Sequence, residues 1–449
     1  MTDERRETPS PTLLWRKEGA AQVDAELMAF MAGDDIVLDR ELFVHDIAAS
    51  RVHAAALASI RVLEDDELKA IEASLDALRA AYTGGDFTLD SRYEDGHSAI
   101  EDWLTKDLGK LGAKIHTGRS RNDQVLVASR LYLREALEEV ESLCAQLASI
   151  CLERADADML TPMPGYTHLQ RAVVSSLGLW FAGFAEAFID DVVLSRDTRR
   201  WIDANPLGTA AGYGVSLPLD RELSTRALAF ERLQVNPIYA QNSRGRFELQ
   251  ALTALSQVLM DLRRISWDLS LFAAAEFDFL RLPDRYTTGS SIMPNKRNPD
   301  PVELLRAAPA PVLGAITELQ SLLSLPSGYQ RDLQLTKGPM VRGVRASLQA
   351  LRISVGLLTD VDFDRTRMAE AISPDMYATD YAYELVAEGM PFRQAYREAA
   401  ARTEESAPRD PVASLRRRIS PGAPGQPLLD TLRKRLSALS DVGAGGGLG

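Results

Sequence analysis

Apolar residues recur at helical spacing over unusually long stretches of this chain. Between Arg119 and Thr161 there is neither glycine nor proline. Across that stretch Leu133, Leu137, Val140, Cys144, Leu147 and Cys151 step by four and three, the seam of one helix face. A helix of about 40 residues would be roughly 60 Å long, and its apolar face needs equally long neighbours. Residues 246–282, also free of Gly and Pro, are predicted to supply one, with others at 168–204, 302–325 and 340–360. Five such helices predict a central bundle, and a bundle so elongated is expected to share its core with other subunits. The predicted divisions are a flexible tail at 1–11, a mainly helical region at 12–118 and the bundle at 119–370. A small helical region at 371–440 and a flexible tail at 441–449 complete the chain. Alternation of the strand type is confined to short fragments, so the predicted fold is all-α.

Composition narrows the function classes. The chain has 449 residues, 45% hydrophobic and 26% charged, enough for a large core and several domains. A formal net charge of −13 argues against a general nucleic-acid or anionic-membrane partner. The opening MTDERRETPS has no apolar segment of the secretory kind, and no apolar run is long enough to span a bilayer, so a cytoplasmic location is expected. Cys144 and Cys151 lie two turns apart on one predicted helix, too far for a disulfide and suited to burial. Histidines at 45, 53, 97, 116 and 168 show no metal-ligand spacing, so no metal is expected.

Four segments carry candidate chemistry. In TTGSSIMPNKRNPDPVELLR (287–306), small residues precede Lys296 and Asn298, which lie two apart and so on one face of an extended segment. Asn298 is predicted to cap a helix with Pro299 at its first position. This describes a mobile flap bearing a hydroxyl, followed by a pair of anion-binding donors. KIHTGRSRNDQ (114–124) puts Ser120, Arg121 and Asn122 at the start of the first long helix, either a carboxylate cradle or a plain cap with surface arginines. MPGYTHLQR (163–171) places Thr167 and His168 after a Pro-Gly turn, at the predicted start of another helix. YEDGHSAIE (93–101) holds His97 among acidic residues at a turn. Taken singly, either histidine fits a structural role equally well.

Taken together, these segments resemble the fumarase/aspartase superfamily, whose signature loop GSS-x-MP-x-K-x-NP is present here. Within it, HTGRSRNDQ, PGYTHLQRA and LPSGYQRDLQLTK (325–337) are similar to the argininosuccinate lyase family. The likeness runs on through NPLGTAAGYG (205–214) and SPDMYATDYAYELVAEGMPFRQAY, covering roughly residues 12 to 400. There are departures: LLWRKEGA replaces a WGGRF opening, and NKRNPD replaces QKKNPD. NSRGRFE (242–248) lacks an acidic residue before its arginine, and Asp35 falls about where the family has a substrate-contacting serine. These bear on how the amino-acid end of a substrate is held.

The resemblance implies a three-domain lyase fold whose long-helix bundle assembles into the core of a homotetramer, with active sites shared among chains. It implies cleavage of L-argininosuccinate to L-arginine and fumarate by β-elimination, with no cofactor. Ser290 and His168 would form the acid–base pair, Ser290 taken as the base although the roles could be reversed. Glu303 would support His168, while Lys296 and Asn298 would stabilise the developing dianion. Substrate binding would fall to Arg121, Asn122, Thr167, Tyr329, Gln334, Lys337, Ser120 and His97. Asp332 is a further candidate for pairing with the guanidinium. Two alternatives remain: a related lyase acting on another N-succinyl compound such as adenylosuccinate, and a non-catalytic, crystallin-like structural protein.

Overall fold

The computed structural model describes residues 25–401 and 409–444. LLWRKEGA and the 1–11 tail lie outside them. The fold is helical, with four two-stranded pieces as its only sheets among the described residues. Its principal elements are α1 (Asp35–Ser59), α2 (Asp65–Gly84), α3 (Gly96–Leu108), α4 (Arg121–Ala157), the antiparallel strands β1 (Pro162–Thr167) and β2 (Gln170–Ser176), and α5 (Leu177–Ile202). They continue with α6 (Arg246–Phe272), the short pair β3 (Thr288–Gly289) and β4 (Arg297–Asn298), α7 (Asp300–Ala307), α8 (Pro309–Leu322) and α9 (Lys337–Asp360). Smaller helices fill the C-terminal region, the last being Leu429–Ala444, which runs into the stretch expected to be a tail. None of the described helices is long and apolar enough to cross a membrane.

Two compact units divide the chain. The first comprises Met1–Glu138, Arg196–Leu255 and Pro311–Ala346; the second comprises Glu139–Ser195, Ser256–Ala310 and Ser347–Gly449. Helices α4, α6 and α9 contribute residues to both. In the first unit, Phe43 and Ile47 of α1, Ile71, Leu75 and Leu78 of α2, and Ile100 and Leu104 of α3 form one buried cluster. Each such side chain contributes ~1.5–3 kcal/mol by leaving water. In the second unit, α5 begins so close to the end of α4 that a Cβ on Gly178 would lie 2.3 Å from the Met159 Cα. Only glycine permits that approach.

Four sequence expectations need correction. The helix expected over 246–282 ends at Phe272, and a turn leads from it into the short strand Leu280–Arg281. The helix expected from 168 starts at Leu177, because residues 162–176 form the hairpin β1–β2. The stretch 302–325 is two helices, α7 and α8, separated where Pro309 and Pro311 cannot donate N–H bonds to a continuing ladder. Asn298 is not a helix cap: it pairs with Thr288 across β3–β4, and α7 begins at Asp300 with Pro299 in the cap position. Cys144 and Cys151 are both buried and free, and burial pushes the Cys151 thiol up to about 12.

Candidate active site

A polar cleft of about 450 Å³, counted to its open mouth, lies within the first unit. Its lining comes from the starts of four helices. Asp35 opens α1, Asp95 caps α3, Arg121 and Asn122 open α4, and Lys337 opens α9. Helix starts concentrate unpaired amides and positive potential, so their convergence makes a place for anions. Tyr329 and Gln334 complete the set from the segment before α9. The structure therefore brings Arg121, Asn122, His97, Tyr329, Gln334 and Lys337 into one cleft.

Buried charges around the cleft are held by specific partners. Asp95 accepts a hydrogen bond from the Ser98 amide at 2.7 Å, and the Ser98 hydroxyl donates back to the Asp95 carbonyl and carboxylate oxygens. Burial disfavours the Asp95 charge, but the His97 and Arg121 cations and the Ser98 bonds outweigh it and hold its carboxyl below the usual range. Arg121 lies 2.9 Å from Glu94 and 3.2 Å from Asp95. His97 Nδ1 meets Asp46 at 2.5 Å, while its Nε2 is buried with no partner among the described residues. Burial opposes protonation of that ring, yet Asp46, Asp95 and Asp39 together raise its pKa. The unpartnered Nε2 leaves this ring free to hydrogen-bond a group in the cleft.

Lys337 is the most enclosed of these groups, its side chain 1% exposed, with its ammonium 2.5 Å from Asp39 and 2.9 Å from Asp35. Asp39 also accepts the Gly96 amide at 2.8 Å, which ties α1 to the start of α3. Burial lowers the affinity of Lys337 for its proton, but the two carboxylates reverse that and raise its pKa.

Ser120 is not part of the cleft lining; its hydroxyl accepts the Asn122 amide at 3.3 Å. Behind it Asp123 is fully buried and accepts the amides of Ser120, Gly208 and Ala210 at 2.9–3.0 Å. The NPLGTAAGYG segment is thereby fastened to the start of α4. Asp332 is exposed and also outside the lining.

The remaining candidates belong to the second unit. Thr167 ends β1, and His168 and Leu169 form the two-residue turn to β2, with φ of 55° and 59°. Both are exposed. Two consecutive non-glycine residues in the left-handed region cost of order 1–3 kcal/mol each, so this turn is held against local preference. His168 makes no hydrogen bond or ion pair among the described residues, and Glu303, in the first turn of α7, lies 3.9 Å from Arg306. In the flap, the Ser290 hydroxyl oxygen accepts the amides of Met293 at 3.0 Å and Ile292 at 3.3 Å. Thr288 bonds the Asp300 carboxylate and Arg297 pairs with Asp284, which secures both ends of the flap. Its tip carries Ile292, 84% exposed, and an exposed Lys296.

Arg244, Arg331 and Glu94 also line the cleft, although none was a candidate from sequence. Arg244 lies in NSRGRFE, and the departure of that segment from the family pattern was the only available signal.

Comparison with known proteins places the chain among lyases. A family model described as Lyase matches residues 19–314. An argininosuccinate lyase of Stenotrophomonas maltophilia (strain R551-3) is 56% identical over 429 residues, 95% of this chain and 99% of the relative. One from Xanthomonas campestris pv. campestris (strain B100) is 55% identical over 428 residues, with the same coverage. The fold is shared with an EDDS lyase solved in complex with formate, at a TM-score of 0.77 and 22% identity over 94% of this chain and 92% of that one. Class II fumarase from Schistosoma mansoni aligns at a TM-score of 0.68 and 17% identity, over 86% and 94% of the two chains. With more than half of its residues identical to these lyases along nearly the whole length, this chain belongs to the argininosuccinate lyase family.

Proposed function

We propose that this chain is a carbon–nitrogen lyase that splits L-argininosuccinate into L-arginine and fumarate. The observation that carries the reading is its 55–56% identity to argininosuccinate lyases along nearly its whole length. Ser290, as its alkoxide, takes a proton from the carbon beside a succinyl carboxylate, and that electron pair delocalises onto the carboxylate. The pair then forms the double bond of fumarate as the C–N bond breaks, and His168 protonates the departing guanidine nitrogen. Two flap amides on the Ser290 oxygen support this role, because N–H donors favour its deprotonated form. The strained turn under His168 supports the other half, since strain of this kind collects at functional positions.

Lys296 and Asn298 offset the charge that develops on the carboxylate, and Glu303 sustains the basicity of His168. Arg121, Asn122, Thr167, Tyr329, Gln334, Lys337, Ser120 and His97 bind and orient the substrate. The reaction needs no cofactor and takes place in the cytoplasm. A direct test follows fumarate absorbance with purified protein and a panel of succinyl compounds. Release from argininosuccinate is expected, while release from adenylosuccinate alone would overturn the reading.

The working form is a homotetramer with composite sites. A helix as long as α4 needs long neighbours to cover its apolar face, which suits a bundle shared with other chains. A His168→Asn protein and a Ser290→Ala protein, each nearly inactive, should therefore regain activity when unfolded and refolded together. Mixed tetramers verified by tag pull-down that remain inactive would rule out shared sites.

A further inference from the structure

The charges lining the cleft do not all find partners, and the mismatch has a direction. Around Lys337 one ammonium contacts two carboxylates, Asp35 and Asp39, leaving one negative charge without a contacting cation of its own. Arg244 presents the opposite case. It is only 4% exposed, lines the same cleft, and its Nε has no hydrogen-bond partner among the described residues. No carboxylate forms an ion pair with it there. The Tyr329 ring lies 5.7 Å from its guanidinium carbon, measured to the ring centroid, and the Arg244 charge acts on the Asp35 carboxylate from beyond ion-pair distance.

The local backbone explains how the arginine comes to be there. Arg244 follows the short helix Pro237–Asn242, and the next residue, Gly245, has φ of +83°. A Cβ on Gly245 would lie 2.5 Å from the Leu323 side chain. A left-handed glycine in close contact lets the chain turn sharply between Arg244 and the start of α6.

We propose that Arg244 and Asp35 together hold the α-amino-acid head of the substrate, Arg244 binding its carboxylate and Asp35 its ammonium. A buried guanidinium that no carboxylate contacts is costly in the empty site, and a carboxylate ligand supplies the missing contact bidentately. Asp35 has the complementary need. Burial and the neighbouring Asp39 hold its carboxyl above the usual range despite Lys337 and Arg244, and a ligand ammonium would stabilise its charge. The two residues are also two of the positions at which this chain departs from the family pattern. The inference rests on the proposed reaction and specifies which end of that substrate this cleft receives.

Isothermal titration of the intact oligomer tests it with three ligands: L-arginine, agmatine, which lacks the carboxylate, and 5-guanidinopentanoate, which lacks the ammonium. Arg244→Gln should weaken L-arginine and 5-guanidinopentanoate roughly 10- to 100-fold, the range for a charge-assisted contact, while leaving agmatine unaffected. Asp35→Asn should weaken L-arginine and agmatine but not 5-guanidinopentanoate. Arg244→Lys keeps the charge, so it should recover part of the L-arginine affinity, and it serves as the informative variant if Arg244→Gln does not assemble. Equal losses for all three ligands, or unchanged L-arginine binding in both Arg244 variants, would overturn the inference. Fumarate release by the unmodified protein is measured separately: its absence would defeat the proposed reaction, whereas the ligand pattern tests the head-group site alone.

Discussion

Lys296→Met is expected to lower kcat by ~10²–10³, with a smaller change in KM. Loss of one preorganised electrostatic donor in a water-excluded site has effects of that size. The first step of the elimination places a second negative charge on one carboxylate, and that charge is absent from the bound ground state. A cation serving the developing charge therefore acts mainly on the transition state, which appears in kcat more than in KM. In the single chain Lys296 is exposed on a flap whose tip also exposes Ile292, and closure over substrate would bring both out of water. Methionine keeps the length and apolar stem while removing the charge. Steady-state kinetics by fumarate absorbance measures the effect. Activity within a few-fold of the parent would show that another cation does this work; adjacent Arg297 is already engaged with Asp284.

The second large effect is on stability. Lys337→Met should destabilise the fold by about 3–5 kcal/mol, the usual range for removing one partner from a buried ionic group. It leaves Asp35 and Asp39 near each other, the latter buried, without the ammonium that both now contact. The dependence on pH separates this cause from a simple packing loss. In the parent, the Lys337 pKa lies above its ordinary 10.5, so its contribution is fully present below that value and constant between pH 5 and 8. In the variant, burial and mutual repulsion raise the folded pKa of the two carboxyls above their unfolded values. Their contribution is then present at low pH and lost as pH rises through the folded pKa. Chemical denaturation should accordingly show a larger deficit at pH 8 than at pH 5, and adding Asp39→Asn should restore part of it. A deficit independent of pH would mean that the lysine stem, not its charge, is what matters.

Much of the helical architecture was legible because it is governed by short-range rules. The seam from Leu133 to Cys151 repeats at the helical period without a breaker, and α4 occupies that stretch. The positions around Arg121 at the start of α4 could likewise be read from the residues themselves. Where local chemistry conflicts with the outcome, the reading failed. A two-residue hairpin normally advertises itself with Asn-Gly or a similar pair, and His168-Leu169 carries no such signal. The turn is left-handed because flanking pairs such as Thr167 with Gln170, along with the rest of β1–β2, close around it.

The fold class and the first long helix were readable from the sequence, because periodicity and breakers are properties of neighbouring residues. Tertiary structure alone decided which charges would be matched. Lys337 and Asp39 are 298 positions apart, yet they meet at 2.5 Å. Arg244 was visible only as an irregularity in NSRGRFE, and its lack of an ion-pair contact depends on every element that packs around the cleft. Burial and pairing are sums over residues distant in the chain, so no local pattern carries them.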